Sequence, residues 1–142
     1  MPSENGFDCR ATAAVLRSGS SLALAGHAAA IMSVLCIMGR GGAGEWLGCL
    51  AILNWCAVVY LAIRVKIDAA FFELLADHSA EQLDAWLKAT GLREETTQRT
   101  LAERRAGGLR LWRRLGFAVA IQIALLLLAL VSTAIGRARL LS

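Results

Sequence analysis

The sequence predicts an all-α integral membrane protein with three transmembrane helices and a helical cytoplasmic loop. Hydrophobic residues make up 57% of the chain and charged residues only 18%, whereas soluble domains typically carry about 25% charge. The charged residues are clustered, which leaves three long stretches that are nearly free of charge. Each stretch is close to the ~20 residues that a helix needs to cross the hydrocarbon core of a bilayer.

The three apolar stretches divide the chain into segments, and a run with the sequence GRGGAGE at residues 39–45 predicts a tight turn between the first two. In chain order, we expect a polar N-terminal segment (1–19), transmembrane helix 1 (20–38), transmembrane helix 2 (46–64), a cytoplasmic amphipathic helical region (65–114), transmembrane helix 3 (115–136) and a short basic tail (137–142).

The basic residues predict the orientation. With the N-terminus in the cytoplasm, 12 of the 15 Lys and Arg residues lie on the cytoplasmic side, as the positive-inside rule requires. The C-terminus then lies outside. Nearly all basic residues are Arg, with Lys only at Lys66 and Lys88, and Ala is abundant. This composition is typical of a GC-rich bacterial genome, so the expected location is a bacterial inner membrane.

The cytoplasmic region is expected to be helical. No Gly or Pro occurs from Ala51 to Glu73, so transmembrane helix 2 should continue as one rod from about Trp46 to Ala76. A second helix is expected over Ala80–Ala89, with Ser79 and Gln82 as its capping box. A third, weaker helix is expected over Glu94–Ala106, broken at Gly107–Gly108.

Charge divides the cytoplasmic region into two halves. The half from Ile67 to Thr90 contains five acidic residues and one basic residue. The half from Gly91 to Leu115 contains seven basic and three acidic residues. Such halves can attract each other within one chain or between two chains. Because the region has few large apolar side chains, we expect it to contact a protein partner, a second copy or the membrane surface, and we favour a partner or a second copy. The residues expected to form this contact are Phe71, Leu75, Leu83, Trp86 and Leu87.

A basic aromatic cluster precedes transmembrane helix 3. Arg110, Arg113 and Arg114, together with Trp112, could bind lipid headgroups. An equal alternative, compatible with the first, is that they only determine topology.

His27 is the candidate cofactor ligand. A haem, a quinone or a proton relay could use this ionisable side chain within transmembrane helix 1. The more common role is an imidazole that forms a hydrogen bond between helices.

Other residues within the apolar stretches are expected to serve helix packing. Asn54 and Gln122 could line a path, but no acid or base accompanies them at depth, which favours interhelical hydrogen bonding. Small residues recur at helical spacing and include Ala25, Ala29 and Ala120. These residues predict close helix contacts, either within the chain or between chains.

Two cysteines flank the glycine-rich turn and are expected at similar depth. Cys36 and Cys49 could form a disulfide, but the more common role is a small apolar side chain.

No catalytic, nucleotide-binding or metal-binding motif occurs, so we expect neither an enzyme, a cofactor nor a small-molecule substrate. Nucleic-acid binding is not expected, since the basic half has an equally acidic neighbour. The sequence therefore favours a non-enzymatic accessory or scaffold subunit that contacts membrane lipid and a protein partner. The alternatives are a redox, quinone-linked or haem-linked anchor using His27, and a small oligomeric or holin-like pore.

Overall fold

A computed structural model describes residues 4–37, 43–77, 89 and 100–141, and three long α-helices account for nearly all of them. The helices are α1 (Glu4–Ile37), α2 (Ala43–Asp77) and α3 (Leu101–Leu141). At ~1.5 Å per residue, the helices are about 51, 53 and 62 Å long, well beyond the ~30 Å of a bilayer core. Each contains a stretch long and apolar enough to span a membrane. The described chain is thus all-helical, with three helices of membrane-spanning character.

Helix α1 begins well before the apolar stretch, within the segment that the sequence marks as polar. Its early turns are held by apolar residues at helical spacing: Cys9, Ala13 and Leu16 are each at most 3% exposed and belong to the core. A helix is stabilised by packing one face against its neighbours. Residues 6–16 are therefore part of the bundle.

Helix α2 confirms the predicted rod from Trp46 to Ala76, because it runs unbroken from Ala43 to Asp77. The residues beyond the apolar stretch also pack, since Val65, Ala69 and Phe72 are buried. Their i, i+4, i+7 spacing places them on one face of the helix.

Helix α3 begins with a capping box. The Glu103 backbone N–H donates to Thr100 Oγ1 (3.3 Å), and the Thr100 N–H donates to Glu103 Oε2 (2.9 Å). This reciprocal pairing satisfies two donors that a helix start leaves free. The expected helix over Ala80–Ala89 and its cap at Ser79 and Gln82 lie outside the described residues, Ala89 apart, which is helical.

The expected helix break at Gly107–Gly108 is wrong, because α3 passes through both glycines. Gly108 is buried, and a Cβ at this position would lie 3.4 Å from both Leu16 Cδ1 and Phe72 Cε2. A glycine costs about 1 kcal/mol relative to alanine inside a helix. Contacts with α1 and α2 offset that cost here. Helix propensity, which depends on local sequence, does not include such contacts.

The helices form an up-down-up bundle. A Cβ at Gly19 would lie 3.0 Å from Val65 and 3.3 Å from Leu115, so these three residues share one layer. A Cβ at Gly26 would likewise meet Val58 at 3.0 Å and Val119 at 3.1 Å. From one layer to the next the residue number rises in α1 and α3 and falls in α2. Helices α1 and α3 are therefore parallel, and α2 is antiparallel to both.

The layer of Gly19, Val65 and Leu115 lies at the boundary between two parts of the bundle. We call residues 4–18, 64–77 and 101–114 the charged end, and residues 20–37, 46–63 and 116–136 the apolar half. At the charged end, large side chains such as Leu16 and Phe72 are buried. In the apolar half, the described interior holds no hydrophobic side chain larger than valine.

Large hydrophobic side chains are instead exposed on the outside of the apolar half. Among the described large hydrophobic residues that are exposed, only four lie at the charged end: Phe7, Val15, Ile67 and Leu74. The bundle thus has two surfaces of different chemistry along its length.

Candidate functional site

Ion pairs join the helices at the charged end. Arg17 Nη2 of α1 lies 2.6 Å from Glu73 Oε1 of α2, and Arg105 Nη1 of α3 lies 3.5 Å from Asp8 Oδ2 of α1. All four side chains are more than a third exposed. Exposed pairs contribute about 0–1 kcal/mol each. These ion pairs therefore identify the helix faces that meet, and they contribute little to the stability of the fold.

A groove of about 450 Å³ opens between the helices at the charged end. Asp8 and Arg105 lie at its polar side, and Phe72 supplies an apolar wall. Burial, and secondarily the Asp8 carboxylate, raises the pKa of the Cys9 thiol in this groove, while Arg105 opposes the shift. A thiol with a raised pKa is a poor nucleophile at neutral pH. The lining residues are Asp8, Cys9, Thr12, Phe72, Leu101, Ala102, Arg105, Ala106 and Leu109.

Asp68 is half-buried on the same end of α2. Partial burial raises the pKa of its carboxyl group, and the neighbouring Arg64 guanidinium acts in the opposite direction. The net shift shows that desolvation outweighs the charge of Arg64. The Asp68 carboxylate is therefore less favourable in the folded state than in the unfolded state, and its ionisation lowers the free energy of unfolding.

Only two of the five expected docking residues lie within the described residues. Phe71 and Leu75 are half-buried, and Leu75 packs against the core. Leu83, Trp86 and Leu87 lie outside the described residues. The docking surface expected from the sequence therefore stays a prediction.

Sequence reasoning missed Phe72, which the structure buries to 4% exposure beside Leu16 and Gly108. The signal was present, since Val65, Ala69 and Phe72 have helical spacing. A second set of apolar residues on the neighbouring face has equally regular spacing and includes Ile67, Phe71 and Leu74. The spacing alone therefore does not say which face is buried.

The basic residues of the basic aromatic cluster point outwards. Arg110, Arg113 and Arg114 are exposed, whereas Trp112 is half-buried. The Trp112 indole Nε1–H donates to Ser18 Oγ at 3.3 Å. Trp112 thus contacts α1, and the three arginines are the cluster members that reach the surroundings.

His27 lies in the apolar half between α1 and α2. Its Nδ1–H donates to the Ala23 carbonyl one turn earlier (2.5 Å), and its ring meets the Trp55 ring edge-on at 6.0 Å. A carbonyl can only accept, so Nδ1 carries the proton. In the neutral imidazole, Nε2 is then the nitrogen with a free lone pair.

Asn54 and Gln122 are brought together across α2 and α3. Asn54 Nδ2 donates to Gln122 Oε1 at 2.7 Å and to the Ala118 carbonyl at 3.0 Å. Because the carbonyl can only accept, the orientation of the Asn54 amide is determined. Gln122 is fully buried, and its Nε2 has no hydrogen-bond partner in the part of the chain that the structure describes.

The expected small packing residues take different positions. Ala29 is buried, whereas Ala25 and Ala120 are exposed on the outside of the bundle. Gly19 and Gly26 lie at close helix approaches within the chain, since a Cβ at either position would lie 3.0 Å from a valine of α2. A role for Ala25 and Ala120 in contacts between chains stays a prediction.

The four cysteines are free thiols, including Cys36 and Cys49. Among the described residues, no group of three or more His, Cys, Asp or Glu side chains could hold a metal ion. No protein-family model matches the chain, and no curated protein or solved structure is significantly similar to it.

Proposed function

We propose that the protein is a non-enzymatic accessory or scaffold subunit of a bacterial inner membrane. It spans the bilayer three times and docks a protein partner, or a second copy, through its cytoplasmic region. The observation that carries this proposal is the contrast between the two parts of the bundle. One part has large hydrophobic side chains outside, and the other has them inside.

The surface of the apolar half supports insertion into a bilayer. Leu24, Leu53, Phe117 and Leu127 are between 57% and 72% exposed, and they come from all three helices. Contiguous apolar surface of this kind is rare on soluble monomers. Membrane helices also pack through small residues that let their backbones approach closely, as Gly26 does here.

The charged end supports docking outside the bilayer. Each helix continues about 14 residues past the apolar half, which corresponds to about 21 Å. The ends of α2 and α3, which the connector of residues 78–99 joins, would then lie away from the lipid. A connector so placed is suited to bind a protein, because it reaches partners that need not enter the membrane.

The test uses the aromatic and aliphatic residues of the connector. Trp86→Ala with Leu83→Ala should abolish self-association, measured by light scattering in detergent, or the stoichiometric recovery of a partner, while insertion is retained. Phe7→Ala is the matched control, because Phe7 is an apolar side chain 69% exposed at the same end. If every oligomer and partner survives the double substitution, the docking role is wrong.

The His27 geometry favours one second candidate, a redox or haem-linked anchor. The Nδ1 hydrogen bond orients the ring and leaves Nε2 able to ligate a metal. An absorption spectrum of gently purified protein distinguishes the accessory role from the redox or haem-linked role. A Soret band that His27→Leu removes would replace the accessory role with the redox one.

A further inference from the structure

We propose that four basic residues on two helices form one cationic layer that binds the anionic headgroups of bilayer phospholipids. The layer consists of Arg64 and Lys66 of α2 and Arg113 and Arg114 of α3. It extends the basic cluster that the sequence places on α3 alone. The inference rests on the proposed insertion into a membrane, and it adds the lipid class and the helix faces that bind it.

The packing contacts place the four residues at one height. Val65 and Leu115 both approach Gly19, so α2 and α3 are in register at this layer. Arg64 and Lys66 flank Val65, and Arg113 and Arg114 precede Leu115 directly. At ~1.5 Å rise per residue, all four Cα atoms lie within about 3 Å of the layer along the helix axes.

The side chains spread around the bundle rather than forming one patch. Val65 and Leu115 are buried at 1% and 0% exposure, so they mark the inward direction of each helix. Successive residues turn by about 100°. Arg64 and Lys66 therefore leave α2 on opposite sides of Val65, and all four basic residues are exposed.

The position of the layer identifies its occupant. It lies where the exposed leucines and isoleucines of the apolar half begin, which is the height of headgroups once that half is in lipid. Among the described residues, no salt bridge involves any of the four, whereas Arg17 nearby is paired with Glu73. The half-buried Asp68 lies one turn from Arg64, and the Arg64 charge acts on it. A ligand that surrounds the bundle at one height fits this spread better than an acidic patch on one protein.

The experiment measures lipid selectivity on the full chain in phosphatidylcholine vesicles. Trace spin-labelled phosphatidylglycerol or phosphatidylcholine reports, by electron paramagnetic resonance, the fraction of each lipid immobilised at the protein. We expect phosphatidylglycerol to be preferred, and the preference to weaken at high salt because salt screens exposed charges.

Two double variants test the layer, one on each helix: Arg64→Gln with Lys66→Gln, and Arg113→Gln with Arg114→Gln. Each should lower the preference for phosphatidylglycerol. Arg104→Gln with Arg105→Gln is the matched control, since it removes the same charge from α3 about 15 Å away and should retain the preference. Arg113→Lys with Arg114→Lys should also retain it, and circular dichroism verifies that every variant is helical.

The outcomes separate the inference from the proposed function. If the control loses as much selectivity as the layer variants, net charge alone is responsible and the layer is wrong. The layer is also wrong if only the α3 variant lowers the preference, or if the wild type shows no preference for phosphatidylglycerol. If no immobilised lipid is detected with either label, the protein is not inserted, and the proposed function fails first.

Discussion

The close helix contact at Gly26 in the apolar half predicts that Gly26→Ala destabilises the bundle. An added Cβ would lie 3.0 Å from Val58 Cγ1 and 3.1 Å from Val119 Cγ2. Both valines are nearly fully buried, and β-branched side chains are restricted at χ1. Neither neighbour can move aside freely, so overpacking should cost about 1–3 kcal/mol.

A second glycine, Gly116, allows the cost of overpacking to be separated from the gain in helix propensity. An alanine in place of a helical glycine gains up to about 1 kcal/mol from helix propensity. Gly116→Ala gains the same amount without a clash, because nothing lies within 4 Å of its added Cβ. The difference between the two variants therefore measures overpacking alone, and we expect about 1–3 kcal/mol.

The assay is reversible unfolding in mixed micelles with increasing dodecyl sulfate, followed by far-ultraviolet circular dichroism. Val58→Ala in the Gly26→Ala background should recover part of the loss, since it removes the methyl group that would lie closest to the added Cβ, at 3.0 Å. Equal stability of Gly26→Ala and Gly116→Ala would refute the close approach of the three helices.

Three further predictions address other parts of the bundle. Gly107→Ala should raise the free energy of unfolding by up to about 1 kcal/mol in the same assay, because the helix is continuous and nothing lies near this Cβ; a loss would indicate a break. Asp68→Asn should raise the unfolding temperature at neutral pH, because a raised pKa means that the folded state disfavours the carboxylate. This advantage should shrink as the pH falls through the raised pKa towards 3.8, and an advantage independent of pH would contradict burial as its cause. A double-mutant cycle of Asn54→Ala and Gln122→Ala should give a coupling free energy of about 0.6 kcal/mol, and additive effects would refute the hydrogen bond.

The sequence was sufficient for the features that depend on composition and on the absence of breakers. Long charge-free stretches predicted three helices of membrane-spanning character. The lack of Gly or Pro predicted the rod of α2, which the structure confirms. Polar residues within the apolar stretches singled out Asn54 and Gln122. The pattern did not reveal that Gln122 Nε2 has no hydrogen-bond partner among the described residues.

Features that depend on which helix faces meet could not be predicted. Helices that are apolar all round carry little information about their buried face. The sequence pattern therefore pointed to Phe71 and Ala25, whereas the structure buries their neighbours Phe72 and Gly26. The continuity of α3 through Gly108 depends on contacts with residues far away in sequence. The box of Thr100 and Glu103 had a readable sequence signature, and it marks the start of α3.

The cationic layer shows the same division. Arg113 and Arg114 stand out in the sequence because they directly precede an apolar stretch. Arg64 and Lys66 join them only through the register of α2 against α3, which the contacts of Gly19 establish. Such a register is a property of the packed bundle.

Membrane topology tests the central claim most directly. Reporter fusions compare three positions, with alkaline phosphatase active outside and green fluorescent protein fluorescent inside. A bundle that spans the membrane three times, with its charged end in the cytoplasm, predicts cytoplasmic signal after Gly91 and external signal at Gly42 and Ser142. A cytoplasmic signal at Ser142 would leave α3 on one side of the membrane and contradict the three-span bundle.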